Sequence, residues 1–399
     1  HTYFKALVAQ VDINLAVENF SNGANWSVVG TEEVSWSATR GYPRTCTFFS
    51  SRLFFAGTTQ RPTTVWGSRI NGFFNFDLGD GSVDLATEDI IDSDEFNVIE
   101  NIFAGRSLQV FTSGGEYYNK STPITPENSD FVRQTGYGAK NIRPILIDGT
   151  TLFVDSSERT IRQFVFSFDE DSYISPNASL LSSHLITNVK AMDSIKGTKF
   201  DVGDYVYVVN VDGTVAVLNT MRSEEISGWT HWNTDGIFED VAVVNKKVYF
   251  VIHRGGNRYV ELLTENTYTD HNVVIAGTEP TKTTVTHLTV DVVHDGDTVV
   301  HTDLSSGTAV TQIQTDFSVD FAQEPFSVIA DFSIQPNQLY TGTPGNNTIT
   351  ISRDAYRIEA GINFLTKVTT LPLATETKSG STLHRRKRVV KVDINVINS

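Results

Sequence analysis

The sequence predicts an all-β chain, a β-propeller built of repeated antiparallel meanders with a small additional β domain. Three observations carry this prediction. The stretch Gly41–Phe76 reads as a strand (Thr45–Phe49), a two-residue turn (Ser50–Ser51), a strand (Arg52–Ala56), a Gly/Thr/Pro loop and a strand (Thr63–Gly67). β-Branched and aromatic runs bounded by small polar residues are the strand signal, and a two-residue spacing makes a hairpin. The unit then recurs, with first turn residues at 50, 105, 148, 203 and 245, so the steps are 55, 43, 55 and 42. Finally, runs such as TFFSSRLFF, YVYVVN and KVYFVI are nearly continuous in apolar residues. Strands of that kind are buried on both faces, as in a blade stacked between neighbours.

Residues 1–40 hold two strand-like pieces, KALVAQVDINLAV and WSVVGTEEVSWSA, read as the end of a preceding region or an early blade. No leader pattern opens the chain, and beginning in strand-like sequence it reads as a piece of something longer. Blades are expected over 41–265. Trp36 precedes the turn at 50 by fourteen residues, and Trp232 precedes that at 245 by thirteen. Residues 168–186 form a connection with a short helix expected at Ala178–Leu185. Composition changes over 266–350, rich in Thr, Val, Asp and Gly, with turns expected at Asp295–Gly296, Ser306–Gly307 and Gly345–Asn346. That segment reads as a small inserted all-β domain. Residues 349–373 read as its last hairpin, and 351–399 return to the main body. The closing strand alternates Val390, Val392, Ile394 and Val396 against Val389, Lys391, Asp393 and Asn395, so one face is apolar.

At 399 residues the chain can bury a large core, with ~2–3 domains as the prior from length. Its single cysteine, Cys46, excludes an internal disulfide and any multi-cysteine zinc site, and its strand position predicts a buried, inert thiol. No apolar run approaches the ~20 residues of a membrane helix. Net charge is −16, from 47 acidic and 31 basic residues. Gripping nucleic acid requires Lys and Arg against phosphate, so the balance has the wrong sign for that role. It does not exclude a protein that DNA slides past without sticking.

Residues 77–100 carry nine carboxylates and no base. Asp84, Glu88, Asp89, Asp92, Asp94 and Glu95 form the densest part, read as a solvated acidic loop or a surface that repels phosphate. A calcium loop needs a turn-forming glycine among its ligands, which DIIDSDE lacks. His287, His294 and His301 are spaced seven apart, which flips the face of a strand at each step, so they do not converge on a metal. No G-x-S-x-G elbow and no phosphate-binding glycine loop appears. Hence no enzyme signature, cofactor or metal is assigned. The cluster Arg385, Arg386, Lys387 and Arg388 resembles a localisation signal or phosphate clamp, but followed directly by a strand it reads as a subunit contact or a charged edge.

The stretch PRTCTFFSSRLFFAGTTQRPTTVWGSRINGFFNF resembles the central region of tail nozzle proteins (tail tubular protein B) of short-tailed bacteriophages. So do YGAKNIRPILIDGTTLFVDSSERTIRQFVFSFDEDSY, SGWTHWNTDGIFEDVAVVNKKVYFVIHRGGNRYVELL and the closing INFLTKVTTLPL with RRKRVVKVDINV. The resemblance implies a structural virion protein of the tail, assembled as a homo-oligomeric ring of commonly six copies. Its implied partners are the tail adaptor protein, tail fibres and double-stranded DNA, which the bore conducts and gates during ejection. The sequence departs from the family in lacking an upstream platform region, and 266–350 diverges. An alternative reading is a carbohydrate-binding or polysaccharide-degrading propeller, served by aromatic loops at Trp229–His231–Trp232 and Tyr117–Tyr118.

Overall fold

The computed structural model describes residues 36–92, 97–197, 203–221 and 226–254 continuously, with shorter pieces between them, and strand backbone at 2–6, 26–31 and from 270 to 381. An N-terminal hairpin pairs β1 (Thr2–Ala6) with β2 (Trp26–Thr31). Five meanders follow. Blade 1 is β3 (Thr45–Phe49), β4 (Arg52–Ala56), β5 (Thr64–Gly67) and β6 (Thr87–Ile90). Blade 2 is β7 (Ile99–Ala104), β8 (Leu108–Thr112), β9 (Glu116–Asn119) and β10 (Phe131–Thr135). Blade 3 is β11 (Ile145–Ile147), β12 (Thr150–Val154), β13 (Ile161–Ser167) and β14 (Ser172–Ile174). Blade 4 is β15 (Val189–Ile195), β16 (Asp204–Asn210), β17 (Val215–Met221) and β18 (Ile226–Trp232). Blade 5 has β19 (Ile237–Val244), β20 (Lys247–Arg254) and β21 (Asn257–Leu262). Within each sheet the strands lie in chain order.

These sheets are the blades of a β-propeller, because among the described residues every hydrophobic core lies between two successive sheets. Phe54, Ala56 and Val65 of blade 1 meet Ile102, Leu108 and Val110 of blade 2. Phe111 of blade 2 meets Phe153 and Phe164 of blade 3. Leu152 and Val154 of blade 3 meet Val206 and Val208 of blade 4, and Tyr207 and Val209 of blade 4 meet Phe250 and Ile252 of blade 5. Alternate residues of one strand thus fill seams on opposite sides, which is the period of two acting on a sheet covered on both faces. That is why β8 and β12 are buried along their whole length. First strands of neighbouring blades approach one another, β3 with β7, β11 with β15 and β15 with β19, so they lie nearest the axis.

Polar side chains pin the seams. Thr45 Oγ1 accepts from the Ile102 amide at 3.3 Å, Asn101 Nδ2 donates to the Lys140 and Ile142 carbonyls, and Asp193 Oδ2 accepts from the Val243 amide at 2.7 Å. The first turns of blades 1, 3 and 5 hold both central residues at positive φ: Ser50 and Ser51, Asp148 and Gly149, Asn245 and Lys246. This is the two-residue turn whose twist matches its flanking strands.

Several expectations are corrected. Each of the first four blades has a fourth strand beyond the strands expected from the sequence. The short helix is a 3-10 turn at Leu180–Leu185. Cys46 is exposed, since β3 alternates and only its other face meets blade 2. β20 alternates buried and partly buried residues instead of being buried throughout. Within the additional β region, β22 (Asp270–Ala276), β29 (Arg357–Ile362), β26 (Phe326–Ala330) and β27 (Ser333–Ile334) form one sheet. β25 (Thr308–Ile313), β24 (Val299–Asp303), β23 (Leu288–Val292) and β28 (Asn347–Thr350) form another. β28 and β29 therefore belong to different sheets and are not the hairpin expected at 349–373. The turns expected at Asp295–Gly296, Ser306–Gly307 and Gly345–Asn346, and the closing strand at 389–396, lie outside the described residues.

Candidate functional site

The acidic stretch does not form a single solvated loop. Thr87–Ile90 is β6, the outermost strand of blade 1, and its carboxylates take structural partners. Arg69 donates to Asp84 Oδ2 through Nε at 3.0 Å and Nη2 at 2.5 Å. Glu88 receives Arg61 Nη1 on Oε1 at 2.5 Å and the Trp66 indole N–H on Oε2 at 3.1 Å. Asp89 lies opposite Val65 and faces blade 2; burial pushes its carboxyl above the ordinary range, against the Ser129 hydroxyl, which favours ionisation. Neither arginine lies within 77–100: Arg61 and Arg69 sit in the loops that flank β5. Asp92 is exposed, as are Asp77 and Asp80, whose side chains accept from the Gly79 and Ser82 amides. The Ser82 hydroxyl and amide hold Asp80 below the usual carboxylate range, hence ionised. Asp94 and Glu95 lie outside the described residues, as does the whole cluster Arg385, Arg386, Lys387 and Arg388.

The aromatic loops of the carbohydrate reading are strands. Trp229, His231 and Trp232 are on β18, where the Trp229 indole donates to the Ala178 carbonyl and Trp232 packs on Tyr207. Tyr117 and Tyr118 are on β9, Tyr117 in the first seam and Tyr118 against Tyr173. Their rings are spent on packing.

The sequence reading missed a polar group in the second seam, around Glu116. Glu116 is fully buried at the start of β9. The Thr135 hydroxyl donates to its Oε2, the Tyr137 amide donates to the same oxygen at 3.3 Å, and Oε1 is buried with no hydrogen-bond partner among the described residues. Thr135 is linked to Ser175 by a 2.8 Å hydrogen bond. Arg162 donates to Asp155 Oδ2 at 3.2 Å and to the Ser175 carbonyl at 3.0 Å, and its guanidinium lies 3.5 Å from the Tyr137 ring centroid. Gly138 lets the chain pass here: its φ is +73°, and a Cβ on it would meet the Ser113 carbonyl oxygen at 2.2 Å. No spacing signal marks Glu116, since a carboxylate opening a strand reads as a surface residue.

Burial outweighs the Thr135, Tyr137, Gly138 and Arg162 contacts and raises the Glu116 carboxyl above the ordinary glutamate value. A raised folded-state value means that the stabilisation is complete below the unfolded-state value and is lost as pH rises through the folded one. Glu116→Gln is therefore expected to gain on the parent as pH rises from acid towards neutrality. Urea midpoints of both proteins across a pH series measure this, and parallel curves would contradict it.

Among the described residues no group of three or more His, Cys, Asp and Glu is arranged to hold a metal ion. No helix of the described residues is long and apolar enough to cross a membrane.

Fold and site together define a β-propeller whose described charges mostly serve its own seams and edges. No family model matches the chain, and no curated protein does. Among solved structures it is similar to the dihydro-heme d1 dehydrogenase NirN, with a TM-score of 0.36 and 9% identity over 67% of this chain and 55% of that one. It is also similar to the Pan2 WD40 domain of Neurospora crassa, with a TM-score of 0.29 and 12% identity over 55% of this chain and 62% of that one. A third is an exo-β-1,3-galactanase of Phanerochaete chrysosporium, with a TM-score of 0.30 and 7% identity over 80% and 91%. The chain thus spans under two thirds of the first two. Scores this low carry no argument about activity, and the propeller rests on the blade topology and its seams.

Proposed function

We propose that the chain is a structural virion protein, a tail nozzle of a short-tailed phage whose copies form a ring that conducts and gates DNA during ejection. The observation that carries the reading is the run of four apolar seams joining five blades into one continuous wall. The resemblance of the stretches 43–76, 137–173 and 227–263 to nozzle proteins supplies the role. Such a wall suits a conduit because it supports load and has no chemistry to perform. Its surplus of carboxylates suits passing DNA, since a net negative surface repels phosphate and weakens the cation contacts that would release counterions and hold it.

A bore formed between copies would be lined by outer parts of blades, where Asp77, Asp80 and Asp92 flank β6. Glu88 and Asp89 are unsuited to a test, because Glu88 partners Arg61 and Asp89 is largely buried. Replacing Asp77, Asp80 and Asp92 by Lys is expected to leave assembly intact and to slow ejection from purified particles. The slowing should ease at higher salt, which screens the new phosphate contacts. Ejection at the parent's rate in both low and high salt would remove this surface from the DNA path.

A further inference from the structure

The four seams fill eight blade faces; the face of blade 1 turned away from blade 2 borders none of them. Along β3, Thr45 and Phe49 turn to the first seam, so Cys46 and Phe48 turn outward. Phe48 is 62% exposed and Tyr42 66%, and Phe73, edge-on to Phe48 at 5.2 Å, is 37% exposed. An aromatic patch of this kind on a sheet face marks a contact surface.

Part of the same flank is already covered, by Trp36. Its ring meets Phe55 at 5.1 Å, Phe76 at 5.2 Å and Trp66 at 5.7 Å, each edge-on. Its indole Nε1 is buried and has no hydrogen-bond acceptor among the described residues. Trp232 shows what such a residue does elsewhere. It ends β18, the last strand of blade 4, and packs into the core shared with blade 5. Trp36 stands in the corresponding place on blade 1, fourteen residues before its first turn against thirteen for Trp232. It is placed as the last-strand residue of a preceding sheet would be.

The chain supplies that sheet. β2 ends at Thr31, so only residues 32–35 separate it from Trp36. Five extended steps reach at most ~17 Å. The hairpin is therefore tethered beside the flank. Its register pairs Phe4 with Val28 and Ala6 with Trp26, which places these four on one face.

We propose that the β1–β2 hairpin seats on the outer flank of blade 1, with the face of Phe4, Ala6, Trp26 and Val28 over Cys46, Phe48 and Tyr42, as the start of one more blade. A backbone carbonyl near the end of β2 then accepts from Trp36 Nε1.

Cys46 is the only cysteine and serves as the probe. In the full chain Phe4→Cys or Val28→Cys is oxidised gently and run on a non-reducing gel, with Ser27→Cys, on the opposite face, beside them. An intramolecular disulfide to Cys46 in Phe4→Cys or Val28→Cys, and none in Ser27→Cys, is the expected result. Cys46 of the unsubstituted chain should also label at least roughly tenfold slower than a free thiol, since it must wait for the hairpin to lift. Only intermolecular disulfides would assign the flank to a second copy and overturn the proposal. Absence of any disulfide to Phe4→Cys or Val28→Cys, with Cys46 labelling freely, would overturn it as well.

Discussion

Arg254→Met is expected to lower the unfolding free energy by about 3–5 kcal/mol, the usual cost of removing one partner from a buried ionic network. Arg254 ends β20 and is 2% exposed. Its Nε and Nη2 reach the two Glu261 oxygens at 2.8 and 3.0 Å, Nη2 reaches Asp270 Oδ1 at 3.1 Å, and Nη1 donates to the Asp235 carbonyl. Burial opposes the charge, yet the Glu261 and Asp270 carboxylates outweigh it and hold the guanidinium above its ordinary value. Methionine fills much of the volume but takes the compensating guanidinium away from Glu261, Asp270 and the Asp235 carbonyl. A triple variant with Glu261→Gln and Asp270→Asn should recover part of the loss, because the stranded charges are then gone. Urea unfolding of the three proteins gives the comparison, and a loss below about 1 kcal/mol in the single variant would make the network dispensable.

Phe111→Ala is expected to cost about 3–5 kcal/mol through the cavity it leaves. Phe111 is fully buried, with Phe153 at 4.9 Å and Phe164 at 5.5 Å between ring centroids across the second seam. The seam spans two blades, so the loss should appear as one shifted transition and not as the early melting of blade 2 alone. A separate early phase, or a cost near that of a surface substitution, would contradict the reading of the seam as a shared core.

The blades were legible because their inner strands carry the signal. LFF, VWG, VYVV and LFV are apolar on both faces, and the turns between first and second strands have residues suited to positive φ. The fourth strands were not legible. TEDI, FVRQT and SYI sit at the outer edge with little buried surface, and β6 follows β5 only after a long loop. Charge was misread for a related reason. Local sequence shows that Asp84 and Glu88 lie in an acidic run, but their arginines sit at 69 and 61 and reach them only through strand pairing. Arg52 and Arg254, almost wholly buried, look like surface residues until the fold brings carbonyls or carboxylates to them. The exposure of Cys46 follows from its place on the side of β3 away from blade 2, which depends on the order of blades and not on the strand itself.

Images of the purified full chain, taken unfixed by negative stain and averaged, test the central claim most directly. The conduit reading predicts closed rings of several copies around an open bore wide enough for duplex DNA. Solitary propellers at every concentration, or rings whose centre is filled by protein in all views, would contradict it.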